Sequence, residues 1–166
     1  MMKLFPGAVL SLAAVVAVAH PHFNKTITAD LPGGVQAVVT YNTTPSNETR
    51  ATGAPLGVFT TPRGPKLKLS ADLKAGEKVI LAAGEYTIGV VKNSETDWTM
   101  ALYQGVLARG ATADATKVVK LESAFDSKIA PAEHMLIDIT PGKGKFVGKA
   151  VLTLHFGTLF LSGLLG

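Results

Sequence analysis

Four histidines are the residues in this chain best suited to bind a metal ion: His20, His22, His134 and His155. Imidazole nitrogens are good ligands for copper. When a histidine is the first residue of a mature chain, its free amine and its imidazole chelate copper together, and a second histidine completes the nitrogen ligands of a histidine brace. If the mature chain begins at His20, any of the other three histidines could be that second ligand.

Pro21 disfavours a different copper chelate at the same terminus. That chelate uses the amine, two deprotonated backbone amides and a histidine in third place, which here is His22. Proline has no backbone N–H to lose. A structural interpretation stays open beside the copper hypothesis. In it, His20 and His22 belong to a frayed chain end, and His134 and His155 lie on the polar face of a sheet.

The first nineteen residues have the pattern of an export signal. Lys3 provides the positive start, residues 8–18 are apolar, and Ala17-Val18-Ala19 is a small-x-small cleavage site. A membrane-spanning helix needs about 20 apolar residues, and His20 interrupts the run too early. We therefore expect residues 1–19 to be removed, leaving one domain over residues 20–166. Its predicted location is periplasmic or extracellular, without a transmembrane segment.

The composition is that of a globular protein. Of the 166 residues, 47% are hydrophobic and 17% are charged, and the formal net charge is +4. The lysines are spread along the chain without interleaved aromatic residues, which indicates a solvated face and no nucleic-acid partner. The chain has no cysteine, so neither a disulfide framework nor a lipid-modified N-terminal cysteine is available.

Short segments rich in β-branched residues, separated by turn residues, fill the predicted mature chain. The first two, residues 22–30 and 35–41, flank Leu31-Pro32-Gly33-Gly34 and predict a hairpin. Further strands are predicted over residues 66–70, 78–82, 85–92, 98–103, 117–121, 134–140, 149–156 and 158–162. This spacing predicts an all-β antiparallel sandwich, of jelly-roll or immunoglobulin-like order. Residues 42–57 form an unusually long loop, and Ser123 to Ile129 is the only predicted short helix.

One stretch resembles a known family. Residues 76–88 read GEKVILAAGEYTI and are followed by DWTMAL at residues 97–102. This pairing of an Ala-Gly-x-Tyr hairpin with a Trp-Thr strand is similar to an exported bacterial family catalogued as domain of unknown function 2911, and the likeness covers roughly residues 66–161. The resemblance implies export and a β-sandwich and assigns no catalytic residue. In the hairpin, Gly84 would supply a restricted backbone angle, and Tyr86 and Trp98 would fill the core.

Other sequence motifs give weaker indications of function. Asn24, Asn42 and Asn47 each begin an Asn-x-Ser/Thr sequon, although such sequons also arise by chance in threonine-rich sequence. No Gly-x-Ser-x-Gly elbow and no phosphate-binding glycine loop occurs, so the sequence does not indicate an enzyme.

The apolar C-terminal region allows two interpretations. Residues 150–166 could form a removable anchor signal, but residues 151–156 alternate as a strand does. Residues 159–165 could then be an edge strand. An exposed apolar edge would pair with a second chain and assemble the protein into oligomers.

The sequence favours an exported, non-catalytic β-sandwich module that binds an extracellular protein or glycan partner or has a structural role. A copper-binding protein that uses His20 and a self-assembling subunit are the alternatives. A small-ligand binder would need a pocket lined by Tyr41, Tyr86, Tyr103 or Trp98, and these rings otherwise belong to the core.

Overall fold

The computed structural model describes residues 22–47, 49 and 52–166, and its regular structure is mostly β-strand. The strands are β1 Asn24–Leu31, β2 Val35–Asn42, β3 Phe59–Thr60, β4 Lys66–Leu69, β5 Leu73–Ala75, β6 Lys78–Leu81, β7 Gly84–Ser94, β8 Asp97–Gln104, β9 Val118–Lys120, β10 Ser123–Phe125, β11 Ala132–Pro141, β12 Ala150–Gly157 and β13 Leu159–Leu165. Short 3-10 turns occupy Pro32–Gly34, Ala115–Lys117 and Gly144–Phe146. Within these described ranges, no helix has the length and apolar character needed to cross a membrane. The predicted export segment and His20 lie outside them.

Two antiparallel sheets pack face to face, which confirms the all-β antiparallel sandwich. The first has the strand order β1-β2-β4-β7-β8-β9, and the second has the order β10-β13-β12-β11. Strands β5 and β6 form a small separate hairpin. Along one edge of β7, β4 pairs with residues 84–87 and β3 pairs with residues 90–91. This leaves β3 close to the end of the sheet where Trp98 lies.

The core lies between the sheets and follows the period of two expected for strands. Leu67, Ile88 and Met100 of the first sheet and Leu154 and Leu161 of the second are fully buried and belong to one cluster. Inward and outward side chains alternate along β2, β11, β12 and β13. The burial pattern therefore confirms the faces that the sequence periodicity predicts.

The segment that carries the family resemblance does not form the expected hairpin over residues 76–88, because β6 pairs with β5 whereas β7 pairs with β4 and β8. Gly84 has φ = 135°, a backbone conformation that a β-carbon disfavours. Tyr86 and Trp98 are 2% and 6% exposed, so both rings fill the core as predicted. The Tyr86 hydroxyl donates a 2.8 Å hydrogen bond to the carbonyl of Ala82. Burial raises the pKa of Tyr86 above the ordinary tyrosine value.

On one side of the sandwich the chain passes directly from the first sheet to the second. Leu121 follows β9, and its N–H donates to the carbonyl of Met100 at 2.9 Å. Two residues later, the hydroxyl of Ser123 accepts a 2.9 Å hydrogen bond from the N–H of Met100. These bonds connect the end of β9 and the start of β10 to the same residue of β8.

On the opposite side, the segment after β2 closes the sandwich. We call residues 43–46 the closing segment. Its Thr44 carbonyl accepts a 2.8 Å hydrogen bond from the N–H of Met135, and the N–H of Ser46 donates to the carbonyl of Glu133 at 2.8 Å. The Ser46 hydroxyl accepts a further bond from the N–H of Gly157 at 2.8 Å. The beginning of the long loop is therefore attached to the second sheet.

The free edge of the second sheet is irregular. Strand β11 is its terminal strand, and its register with β12 shifts between Ala132 and Leu136. Further along, the N–H of Ile139 donates to its neighbour Asp138 through a 2.9 Å hydrogen bond to the carboxylate. The strand ends at Pro141, which has no backbone N–H.

Two expectations about the C-terminal half are wrong. Ser123 to Ile129 does not form a helix, because residues 123–125 pair with residues 161–163 as strand β10. Residues 159–165 form β13, which is not an edge strand because β10 and β12 flank it. Its side chains at Leu159, Leu161 and Leu165 are buried in the core. Strand β13 therefore presents no free edge to a second chain, and self-assembly of the protein stays a prediction.

Candidate ligand-binding site

An opening of about 310 Å³ lies between the two sheets at one end of the sandwich. We call it the inner cavity. Its floor consists of Val90 and Trp98 from the first sheet and Phe156 and Leu159 from the second. Its rim consists of residues 44–47 and 60–63, together with His22 and Ala54. The floor is apolar because these side chains point inward, into the space between the two sheets.

The rim holds hydroxyl groups whose positions are fixed by the backbone. The Thr61 hydroxyl donates a 2.7 Å hydrogen bond to the carbonyl of Ile88, and the Ser46 hydroxyl accepts from the N–H of Gly157. A hydroxyl oxygen that donates one bond still has lone pairs to accept others. The rim can therefore accept hydrogen bonds from a ligand whose apolar part rests on Trp98.

Arg63 carries the only fixed charge among the lining residues, all of which are described. Its φ is 62°, and it is the one non-glycine residue with positive φ in the described part of the chain. The left-handed region is unfavourable for a residue with a β-carbon. A strained backbone conformation of this kind persists only where the surrounding structure imposes it, and it is often found at ligand-binding sites.

Lys92 is a buried charge that the sequence interpretation missed. Its side chain lies beside a smaller cavity of about 210 Å³ on the other side of Trp98, and the ammonium nitrogen is 5.6 Å from the Trp98 ring centroid. It donates to the Thr52 carbonyl at 2.7 Å and to both Glu95 carboxylate oxygens at 2.8 Å. These bonds satisfy the charge. The sequence could have indicated this, because Lys92 follows Ile88 and Val90 at intervals of two residues along β7, so its side chain points inward as theirs do.

Two of the predicted metal ligands approach the closing segment. His22 is exposed, and its Nδ1 lies 3.4 Å from the carbonyl oxygen of Thr43. The backbone of His134 pairs with Pro45. His155 lies on β12 opposite Leu136. Across the described ranges, no group of three or more histidine or carboxylate side chains is arranged to hold a metal ion. Because His20 is outside those ranges, the brace stays a prediction.

His155 lies in an apolar environment on the outer face of the second sheet. Its ring meets Phe160 edge-on with 5.2 Å between the ring centroids. Its Nε2 is buried and has no hydrogen-bond partner among the described residues. His155 therefore lies on the outer face of β12, opposite to the buried Leu154 and Phe156, as the structural interpretation predicted, although Phe160 also contacts it there.

The predicted sequons and tyrosines have varied positions. Asn24 and Asn42 face each other across the β1–β2 hairpin, where the Asn42 side-chain amide donates to Asn24 at 3.0 Å. Asn47 lies at the rim of the inner cavity. Glycosylation stays a prediction.

Of the four aromatic residues proposed to line a pocket, only Trp98 lines the inner cavity, whereas Tyr41 and Tyr86 are buried in the core and Tyr103 packs against Phe59.

Comparison with known proteins adds no assignment. No family model, no curated protein and no solved structure matches this chain. The likeness to domain of unknown function 2911 therefore stays an expectation drawn from residues 76–88 and 97–102.

Proposed function

We propose that this protein is an exported, non-catalytic β-sandwich module that binds a small, uncharged and largely apolar ligand in the inner cavity. The single observation that supports this most is the open space between the sheets over Trp98 and Phe156. Small-molecule sites in proteins are typically apolar openings with a few fixed polar groups. The rim hydroxyls of Ser46 and Thr61 would supply those polar groups.

The chemistry of the lining favours binding over catalysis. The Thr61 hydroxyl already donates to a backbone carbonyl, so it is oriented as a hydrogen-bond acceptor for a ligand. None of the lining residues is a carboxylate, and the one imidazole, that of His22, is 3.4 Å from the Thr43 carbonyl oxygen. A general acid–base reaction needs a titratable group within reach of the proton it transfers. The inner cavity instead has the features of a recognition site.

The uncharged fluorophore N-phenyl-1-naphthylamine tests this proposal directly. Trp98 is the only tryptophan in the chain, so no other tryptophan contributes to the emission that reports on the floor of the inner cavity. We expect saturable binding at one site, with quenching of Trp98 emission. Ala54→Phe places a ring in the inner cavity and is expected to weaken binding about tenfold, which corresponds to about 1.4 kcal/mol.

Ala71→Phe is the matched control, because Ala71 is exposed in the turn between β4 and β5 and does not line the inner cavity. It should leave the affinity within about twofold of the parent protein. Fluorescence that fails to saturate, or binding that leaves Trp98 emission unchanged, would contradict the proposal.

A copper site at the predicted mature terminus is the second candidate function. The observation that favours it is that His22 and the backbone of His134 both meet the closing segment, at Thr43 and Pro45. Imidazole is a donor type that suits copper. The proposal requires the chain to be processed so that the amine of His20 is free, and it names His22 or His134 as the second ligand.

The copper proposal predicts a dependence on the first residue. In a sample whose first residue is confirmed as His20 by mass spectrometry, we expect one equivalent of tightly bound Cu²⁺. His20→Ala, or one extra residue before His20, should weaken Cu²⁺ binding at least about a hundredfold, because the amine–imidazole chelate is lost. His155→Ala is the control and should have little effect. Tight copper binding that survives both terminal changes would eliminate the brace.

A further inference from the structure

A second and larger opening lies on the outer face of the first sheet. It has a volume of about 570 Å³ and lies between residues 59–66 and residues 106–111. We call it the outer cleft. Thr60, Thr61 and Arg63 line both the outer cleft and the inner cavity, so the wall that they form separates the two.

Both walls of the outer cleft are fixed to the sheet. On one side, Phe59 is 7% exposed and packs with Val91 and Ala101 in a second apolar cluster. On the other side, the Thr87 hydroxyl donates to the carbonyl of Gly105 at 2.9 Å and accepts from the N–H of Leu107 at 2.9 Å. Packing and hydrogen bonds to the sheet therefore hold the walls of the outer cleft in place.

The lining of the outer cleft is basic. Arg63, Lys66 and Arg109 line it, and no acidic side chain does. Lys66 forms a 3.0 Å ion pair with Glu85, which lies outside the lining. In the described part of the chain, neither Arg63 nor Arg109 forms an ion pair. Two guanidinium groups therefore line the cleft without a partner carboxylate among the described residues.

Arginine at these positions is informative because its planar group recognises oxyanions through paired hydrogen bonds. The chain has thirteen lysines and only three arginines, and two of the three line the outer cleft. Arg63 is also held at a positive φ that glycine would adopt more easily. The adjoining Val106 is 57% exposed and offers an apolar surface beside Arg109.

We propose that the outer cleft binds a small organic molecule that carries a phosphate-type or sulfate-type oxyanion. Arg63 and Arg109 form the clamp on the oxyanion, and Lys66 contributes a third positive charge. The volume exceeds what a bare ion needs, and Val106 contacts the organic part of the ligand. The two openings share a wall that includes Arg63, but Lys66 and Arg109 line only the outer cleft, so the proposed anion site does not depend on the function proposed above.

Titration of the isotopically labelled protein with inorganic phosphate and with sulfate, followed by amide NMR at constant ionic strength, tests the site. We expect saturable shifts confined to residues 59–66 and 106–111. Arg109→Gln and Arg63→Gln should each weaken binding at least about fivefold. Lys74→Gln removes the same charge at an exposed position outside the outer cleft and should change affinity less than about twofold.

The Lys66–Glu85 ion pair provides a test in which anion binding is expected to become stronger instead of weaker. Glu85→Gln frees Lys66 to meet the anion and is expected to strengthen binding about threefold, whereas Glu77→Gln makes the same charge change at an exposed position and should not.

Arg63→Gly keeps a residue suited to positive φ, so its melting temperature should not fall while its anion binding does. This variant separates loss of the clamp from loss of the fold.

The two anions distinguish the ligand class. Phosphate binding that strengthens from pH 6 to pH 8 and exceeds sulfate binding assigns a phosphate-type ligand, because inorganic phosphate loses its second proton across this pH range and gains negative charge. Equal binding of sulfate, independent of pH, assigns a sulfate-type ligand. Shifts spread over surface lysines and insensitive to Arg109→Gln would overturn the site. Because N-phenyl-1-naphthylamine is uncharged, Arg109→Gln should leave its binding to the inner cavity unchanged.

Discussion

Deletion of residues 159–166 is expected to abolish the folded state. Strand β13 pairs with β12 through seven residue pairs and with β10 through three, so its loss leaves β10 without a partner strand in this sheet and exposes one edge of β12. It also removes the buried side chains of Leu159, Leu161 and Leu165. Burial of each leucine stabilises the fold by about 1.5–3 kcal/mol, against a total of about 5–15 kcal/mol for a typical domain. Near-ultraviolet circular dichroism should be lost, without a cooperative thermal transition.

Two leucines of the same strand provide the matched comparison. Leu161 is fully buried between the sheets, whereas Leu164 lies half-buried on the outer face. Leu161→Ala should lower the free energy of unfolding by about 2–5 kcal/mol, and Leu164→Ala by at most about 1 kcal/mol. A trimmed protein that stays folded and monomeric would restore the view of this segment as a separable edge and would contradict its place in the core.

Gly89→Ala is expected to have the second largest effect. A β-carbon at Gly89 would lie 2.5 Å from the ring of Phe59 and would also meet the carbonyl oxygen of Thr60. Because one contact is with backbone, β3 must move away from β7. Loss of the buried position of Phe59 is expected to lower the free energy of unfolding by about 3–5 kcal/mol, measured by denaturant titration. Thr60 lines both openings, so binding at the inner cavity and at the outer cleft should weaken together.

Gly163→Ala is the control for the Gly89 variant. Its new β-carbon would approach the sulfur of Met100 and a methyl carbon of Leu121 at 2.9 Å, and its nearest neighbours are all side-chain atoms. A methionine side chain is flexible and yields more easily than a strand. We expect Gly163→Ala to be clearly less destabilising than Gly89→Ala. Equal losses would show that β3 adjusts freely and does not fix the wall between the two openings.

The sequence predicted the long strands well because each has a clear physical signature. Alternation over residues 35–41 gave β2 and its buried face, and Pro32-Gly33-Gly34 gave the turn before it. Three of the short strands, β3, β5 and β10, were missed, whereas the short strands β4, β6 and β9 were predicted. Strand β3 has two residues, and it depends on the packing of Phe59 over Gly89, which no local pattern reveals.

Strand neighbours were harder to predict than strand faces. Periodicity over residues 159–165 correctly indicated a strand, but it cannot tell a central position from an edge position. The predicted helix at residues 123–129 failed for a related reason. Those residues are held by long-range pairing, as where Phe125 lies opposite Leu161, and propensity alone does not include such contacts.

The candidate sites were hard to predict for the same reason, because long-range contacts form them. Histidines draw attention because their chemistry is evident from residue type alone. The inner cavity instead combines Ser46, Trp98 and Phe156, and the outer cleft combines Arg63 with Arg109. These residues are distant in sequence and meet only after the two sheets and their loops are in place. Only the role of Trp98 could be anticipated, and then as one of four aromatic candidates.

The irregular edge at β11 has a consequence for behaviour at high concentration. An incoming strand from another molecule needs a regular row of free amides and carbonyls to template fibril growth. Here the register shift distorts the row near Ala132, the closing segment already occupies its first half, and Asp138 takes up the N–H of Ile139. Pro141 removes a further donor where the strand ends. We therefore expect this edge to be a poor template for the addition of a strand from another molecule.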